Sequence, residues 1–147
     1  MNQRINYYQV SPEAVKALMN LEGFVKKSGL EKKLLELVKL RASQINGCAY
    51  CVDIHCADAK KAGESERRLH AVAVWREAPF FTEKERSALA WTEAVTLLSE
   101  THAPDEVYQE VVKHFDEKET VDLTMAIITI NAWNRIAVSF RKMPEKD

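Results

Sequence analysis

The sequence predicts an all-α protein, on three observations. Glycine and proline are scarce, with four of each among 147 residues. The stretches between them are rich in Ala, Leu, Glu, Lys and Arg, which form helices readily. Apolar residues in these stretches recur every three or four positions, the period of an amphipathic helix. No repeat or linker divides the chain, so we expect one helical domain over residues 1–147.

Six to seven helices are expected, and their ends carry capping signals. Ser11 and Pro12 suit the N-cap and the first position of the first helix. Thr82, with Glu85 three residues later, has the capping-box pattern. Glycines tolerate the left-handed backbone that often ends a helix. Three predicted helices therefore end at glycines, which are Gly29, Gly47 and Gly63. The predicted ranges are 12–28, 31–46, 48–62, 65–75, 82–100, 104–115 and 121–140.

The last predicted helix, residues 121–140, is apolar on nearly every side. Its β-branched run, Ile127 to Ile130, also suits a strand, but a single strand has no partner in a chain that is otherwise helical. Polar residues interrupt this helix too often for a membrane span. A helix that is apolar all round needs cover on every side, so we expect a core or interface helix and a homo-oligomer.

Charge and composition exclude several classes of partner. The 21 basic and 22 acidic residues leave a net charge of −1, which attracts neither nucleic acid nor an anionic membrane surface. The first residues lack the apolar core of a signal peptide, and no segment reaches the about 20 apolar residues of a membrane span. We therefore expect a cytoplasmic protein with no nucleic-acid or membrane partner.

The stretch "NGCAYCVDIHC", residues 46–56, holds the only three cysteines. In a reducing compartment a C-x-x-C pair is more often catalytic or metal-binding than structural. A permanent disulfide between such close residues would also stabilise the fold little, because it closes a very short loop. Three interpretations remain: a redox pair, a zinc site and inert buried thiols. The spacing favours the redox pair.

A zinc site would use Cys48, Cys51, His55 and Cys56. On a continuous helix, however, Cys56 points about 100° away from His55, and no second ligand pair of the usual kind exists. We therefore expect no metal, and Cys56 to be a small core residue. The other histidines are isolated and are expected at the surface: His70, His102 and His114.

A redox pair is supported by the positions of its neighbours on the predicted helix 48–62. Cys48, Cys51 and His55 fall on one helical face. Cys48 begins the helix, where free N–H groups favour a thiolate, whereas Cys51 has His55 one turn later as a proton acceptor. We assign Cys51 as the nucleophile and Cys48 as the resolving cysteine. Tyr50 is either a hydrogen-bond donor to a bound oxygen or a surface aromatic.

Two charged residues of the second helix lie in unusual places. Arg41 falls within the apolar arc, so it needs a buried carboxylate or an interface as its partner. Glu36 lies at the edge of that arc, and the helical wheel alone favours a solvated charge. The tryptophans are expected to anchor the core or an interface: Trp75, Trp91 and Trp133.

The stretch "ELVKLRASQINGCAYCVDIH" resembles the core motif of the alkylhydroperoxidase D (AhpD)-like proteins of the carboxymuconolactone decarboxylase family. The motif is a Glu, eleven residues, then Cys-x-x-Cys-x-x-x-His. It matches Glu36, Cys48, Cys51 and His55. Weaker similarity extends over about residues 30–137. In the best-known members the residue before the second cysteine is a histidine, and here it is Tyr50.

The resemblance implies a helical, oligomeric peroxidase, a trimer or hexamer, that uses no cofactor. Its cysteines reduce hydroperoxides and close to a disulfide, and a dihydrolipoyl or thioredoxin-like protein reduces them again. The resemblance also changes the interpretation of Glu36, which in the family joins the histidine in a proton relay. The alternatives are a thiol-disulfide oxidoreductase without peroxide specificity, a zinc-binding assembly module and a decarboxylase, although members with that activity generally lack the cysteine pair.

Overall fold

Nine α-helices and one 3₁₀ turn make up the computed structural model, which describes residues 1–145. No β-strand occurs among these residues, so the all-α prediction is confirmed. The helices are α1 (Tyr7–Val10), α2 (Pro12–Lys26), α3 (Lys32–Ile45), α4 (Ala49–Lys61), α5 (Glu66–Ala71), α6 (Glu83–Thr96), α7 (Leu98–Thr101), α8 (Asp105–Val112) and α9 (Glu117–Phe140). None of them is long and apolar enough to cross a membrane.

The helix count is higher than the seven predicted, because the range 82–100 contains two helices and α1 precedes the first predicted helix. Leu97 leaves the helical backbone, with φ −96° and ψ 38°. The carbonyl of Ala94 then accepts a hydrogen bond from the Thr101 hydroxyl at 2.6 Å, which satisfies it although the helix is interrupted. The short helix α1 has no signal in the sequence pattern, and the predicted range 65–75 is α5 followed by the 3₁₀ turn Val72–Val74.

The capping predictions are partly confirmed. Thr82 and Glu85 form the expected capping box, but Ser11 makes no side-chain capping bond and α2 ends before Gly29. Helix α9 begins four residues earlier than predicted, because a capping box from Asp116 starts it at a polar turn that the apolar pattern does not reveal.

Helix α3 lies at the centre of the fold, in contact with α4, α6 and α9. Its apolar side chains are buried in four separate clusters with those neighbours and α2. Arg41 within this apolar surface pairs with Glu93 at 2.9 Å, so a carboxylate partner is present, although it is only partly buried. Burial opposes ionisation of Glu93, yet hydrogen bonds from Trp75 and Arg76 hold its pKa below the usual range.

A glycine turn joins α3 to α4 and sets up the site described below. Gly47 has φ +65°, its amide donates to the carbonyl of Gln44, and the amide of Cys48 donates to that of Ser43. These two bonds are those of a Schellman motif, in which a left-handed residue closes the helix end. The turn therefore ends α3 and begins α4 within three residues.

Side-chain amides fasten this turn to α9. The Asn46 amide donates to the side-chain carbonyls of Asn131, at 3.0 Å, and Asn134, at 2.9 Å. The Asn134 amide in turn donates to the Ser43 hydroxyl at 3.0 Å. Because buried polar groups are costly to leave unpaired, this network fixes the end of α3 against the middle of α9.

We expect Gly47→Ala to lower the free energy of unfolding by about 1 kcal/mol, the cost of a left-handed conformation for a residue with a Cβ. A Cβ at Gly47 would meet no atom within 4 Å, so the effect should come from the backbone alone. Gly23→Ala is the matched control. Its Cβ also meets no atom and Gly23 lies within α2, so alanine should raise stability by about 0.5–1 kcal/mol. Urea unfolding of the reduced proteins measures both, and changes of the same sign would contradict the assigned turn.

Candidate active site

Cys48 occupies the boundary between two helices. It is the N-cap of α4, with an extended backbone at φ −87° and ψ 93°, and its Sγ accepts the N–H of Cys51 at 3.3 Å. The prediction that Cys48 lies on the helix itself is therefore wrong by one residue, because the glycine turn leaves it extended. Its predicted position at the free N–H groups of a helix start is confirmed.

The two cysteines of the C-x-x-C motif are in contact. Their sulfurs form a disulfide in the structure, and their Cα atoms are 5.3 Å apart. The two residues are only 2% and 5% exposed. They lie in an apolar cluster between α3, α4 and α9, together with Ala42, Tyr50, Ile130, Trp133 and Ala137.

Glu36 and His55 form a hydrogen-bonded pair between α3 and α4. Oε2 of Glu36 lies 2.8 Å from Nδ1 of His55. Glu36 is only 6% exposed, so the helical-wheel interpretation of a solvated charge is wrong. Since a carboxylate accepts, Nδ1 carries the hydrogen of the pair and Nε2 of the neutral ring is left free to accept a proton.

A cavity of about 330 Å³ connects this pair with the disulfide. Cys51, Glu36 and His55 all line it, whereas Cys48 is not among the described residues that do so. The remaining wall is largely aromatic and apolar, from Tyr7, Tyr8, Met19, Tyr50, Ile54 and Trp133. A molecule in the cavity would therefore meet Cys51 beside the Glu36–His55 pair.

Tyr50 borders the cavity and is half-buried. Burial raises the pKa of its hydroxyl, and the neighbouring Tyr8 and Glu145 raise it further. The hydroxyl is therefore protonated near neutral pH and can donate a hydrogen bond into the cavity, but it cannot act as a base there. Tyr50 thus lies in the site, where a hydrogen-bond donor to a bound oxygen would have to be.

Sequence reasoning missed several polar residues of the cavity. Lys39 is 3% exposed, and its Nζ lies 2.5 Å from Oε1 of Glu22 and 3.7 Å from Oε1 of Glu36. Asp58 also lies near the Glu36–His55 pair. One of its carboxylate oxygens is within 4.8 Å of a carboxylate oxygen of Glu36 and of a ring nitrogen of His55. The i,i+3 spacing from Glu36 was a usable signal for Lys39. The sequence contains no comparable signal for Glu22, because it comes from another helix.

The remaining candidates lie outside the site. Cys56 packs against a different apolar cluster from the disulfide, and burial, with Asp53 nearby, raises the pKa of its thiol. The four-ligand zinc site is therefore not assembled. His70 and His102 are exposed and His114 is half-buried. The tryptophans pack as expected, Trp75 and Trp91 in the core and Trp133 against the disulfide.

Comparison with known proteins places the chain among relatives of the same fold. A Bacillus subtilis (strain 168) protein, the uncharacterized protein YdfG, is 42% identical over 139 residues, 95% of each chain. An Agrobacterium tumefaciens protein of unknown function, ascribed to the antioxidant defence protein AhpD, is 50% identical. Its crystal structure superposes with a TM-score of 0.96 over 99% of this chain and 100% of that one. The debrominase Bmp8 shares the fold alone, at 19% identity, with a TM-score of 0.81 over 93% of this chain and 74% of that one.

The family model with the description carboxymuconolactone decarboxylase family matches residues 12–94, which include both cysteines of the motif and the Glu36–His55 pair. The resemblance found in the sequence is therefore confirmed: the chain belongs to the carboxymuconolactone decarboxylase family and is AhpD-like.

Proposed function

We propose that this protein is a cofactor-free thiol peroxidase that reduces organic hydroperoxides through Cys48 and Cys51, with Glu36 and His55 as its proton relay. One observation carries the proposal: the Cys51 end of a cysteine disulfide borders a cavity that also holds a hydrogen-bonded Glu–His pair. The AhpD ascription of a relative that is 50% identical supports the same activity. The apolar and aromatic wall of the cavity suits the organic group of such a substrate.

The first step consumes the hydroperoxide. Nε2 of His55 takes the proton of the Cys51 thiol, and Glu36 stabilises the imidazolium that forms. The thiolate attacks the terminal oxygen of the hydroperoxide, so that an S–O bond forms and the O–O bond breaks. Cys51 becomes a sulfenic acid, and the alkoxide takes the proton from His55 and leaves as an alcohol.

The second step restores the disulfide seen in the structure. The Cys48 sulfur attacks the sulfenic sulfur, so that the S–S bond forms and the S–O bond breaks. The departing hydroxide takes up the proton that the Cys48 thiol gives up and leaves as water. A dithiol protein of the dihydrolipoyl or thioredoxin-like class then supplies two electrons and two protons and returns both cysteines to thiols. The cytoplasm, our expected location, contains such reductants.

The division of roles between the cysteines rests on their different surroundings. Cys51 borders the cavity with His55, which suits the residue that attacks a substrate. Cys48 is the N-cap of α4 and its sulfur accepts the Cys51 amide. That contact stabilises a Cys48 thiolate, which suits a resolving cysteine and a good leaving group during reduction.

The cysteine variants test the cycle directly. Reduced wild-type protein should lose two thiols per equivalent of cumene hydroperoxide, counted with a thiol reagent. Cys48→Ser should accumulate a sulfenic acid that dimedone traps, whereas Cys51→Ser should consume no peroxide. Cys56→Ser is the control and should behave as wild type, since Cys56 lies outside the site.

Two results would change the proposal. A Cys51→Ser protein that still consumed one equivalent of peroxide would make Cys48 the nucleophile. Wild-type protein that kept its thiols in peroxide, but exchanged its disulfide with a dithiol protein, would be a thiol-disulfide oxidoreductase.

Glu36→Gln should slow the first step by about 100-fold, because an amide cannot stabilise the imidazolium that His55 becomes. The rate of sulfenic acid formation at saturating peroxide measures this loss. Asp58→Asn is the matched control, since Asp58 lies near His55 but makes no hydrogen bond to it among the described contacts. A control variant as slow as Glu36→Gln would mean that local negative charge, rather than the Glu36 bond, supports the histidine.

Association of several copies is also proposed. In the single chain, α9 leaves apolar side chains exposed, including Val121 and Ile128. Ile128 borders an apolar groove of about 930 Å³ between α6, α7 and α9, together with Leu98. Exposed apolar surface of this extent on one face is typical of an interface, and we propose that a second copy of the chain covers it.

Light scattering should therefore give a mass above that of the 16.8 kDa chain. Ile128→Asp should shift the protein toward the monomer, because a carboxylate is costly to bury at an interface. Val74→Asp, at an exposed valine outside the groove, should leave the mass unchanged. A monomeric wild-type protein would contradict the proposed assembly.

A further inference from the structure

Lys39 contributes a buried cation between two carboxylates of the cavity. Its side chain is 4% exposed, and Nζ contacts Glu22 of α2 at 2.5 Å and Glu36 of α3 at 3.7 Å. Glu36 then contacts His55 through its other oxygen. A continuous row of four ionisable groups therefore runs from α2 through α3 to α4: Glu22, Lys39, Glu36 and His55. We call it the charge row, and its last member, His55, lines the same cavity as Cys51.

We propose that Lys39 and Glu22 are positioning residues that set the pH at which Cys51 becomes reactive. Lys39 favours the loss of a proton from the group formed by Glu36, His55 and Cys51, and Glu22 opposes it. The inference rests on the proposed function only for the identity of the reaction. The effect on Cys51 reactivity follows from the row of charges itself.

The charges of the row partly cancel. With His55 neutral, Glu22, Lys39 and Glu36 sum to one negative charge, and protonation of His55 neutralises the row. Lys39 lies closer to Glu22 than to Glu36. The negative charge of Glu22 therefore cancels part of the positive electrostatic potential that Lys39 produces at Glu36. Packing alone gives no reason for a lysine here, since replacing a buried ion pair by apolar side chains is often neutral or stabilising.

The direction of each effect does not depend on which group holds the proton. Glu36 is hydrogen-bonded to His55, and Cys51 lines the same cavity, so these three residues experience the field of the same fixed charges. Loss of a proton makes this group more negative, so a fixed cation favours the loss and a fixed anion opposes it. Five other ionisable groups line the cavity and are the same in every variant below: Tyr7, Tyr8, Lys26, Tyr50 and Asp58. Helix α9 adds only the uncharged Trp133 and Ala137.

The test measures the alkylation of Cys51 by iodoacetamide against pH. It uses reduced protein with Cys48→Ser and Cys56→Ser, so that Cys51 is the sole thiol. Lys39→Met should move the half-maximal rate to higher pH by about one unit. Glu22→Gln should move it to lower pH by about half a unit, the smaller effect of a group that is partly exposed to solvent.

Two further variants separate charge from structure. Lys39→Arg keeps the cation and should stay near the wild-type midpoint, and the double variant Glu22→Gln/Lys39→Met removes both charges and should also return toward it. Shifts of the two single variants in the same direction, or slower alkylation at every pH with unchanged midpoints, would overturn the proposal. If Lys39→Met does not fold, Glu22→Gln decides alone, and an unchanged midpoint overturns it.

The same proteins distinguish this inference from the peroxidase proposal. Cumene hydroperoxide consumption is measured on the charge variants with both redox cysteines present. Opposite shifts in alkylation without peroxide consumption would support the charge row and refute the peroxidase. Peroxide consumption without opposite shifts in alkylation would support the peroxidase and refute the proposed role of the charge row.

Discussion

The left-handed turn at Gly47 is the constraint on which the site depends. It ends α3 and starts α4 within three residues. Glu36 lies eleven residues before Gly47 and His55 eight residues after it, about 16 and 12 Å along their helices at 1.5 Å per residue. Because these lengths are similar and the two helices pack together, the carboxylate and the imidazole meet across them. The same turn makes Cys48 an N-cap, which holds its sulfur over the first turn of α4 where Cys51 lies.

The turn is held in place by α9, which also completes the cavity. Asn46 reaches both Asn131 and Asn134, and Asn134 reaches Ser43. A movement of the turn would break three buried or partly buried hydrogen bonds at once, at about 1–3 kcal/mol for each buried group left unpaired. The amide network therefore sets the register between α3 and α9, and that register brings Trp133 to the wall of the cavity.

Local patterns predicted the parts of the molecule that depend on local physics. Thr82 with Glu85, Gly63 after α4 and the meeting of the two cysteines follow from capping and helical spacing, and the structure has all three. The break at Leu97 was not predictable, because the Thr101 hydroxyl that satisfies the freed carbonyl comes from the next helix.

The candidate site follows the same division between local and distant contacts. The helical wheel misplaced Glu36 because it shows the angle of a side chain on its own helix but not which helix covers it. The spacing of the family motif corrected this, since it links Glu36 to residues of the next helix. The pairing of Lys39 with Glu22 depends on contact between α2 and α3, and no periodicity within either helix contains that information.

The residue before the second cysteine explains why the charge row matters for the proposed reaction. With a histidine at that position, a second imidazole would be available to accept or pass on a proton. Burial raises the pKa of Tyr50, so this residue can donate a hydrogen bond to a substrate oxygen but cannot take the proton of Cys51. In the proposed mechanism that proton goes to Nε2 of His55, whose other ring nitrogen is hydrogen-bonded to Glu36. A relay with a single base depends on the charges around it, and the buried cation Lys39 lies 3.7 Å from Glu36.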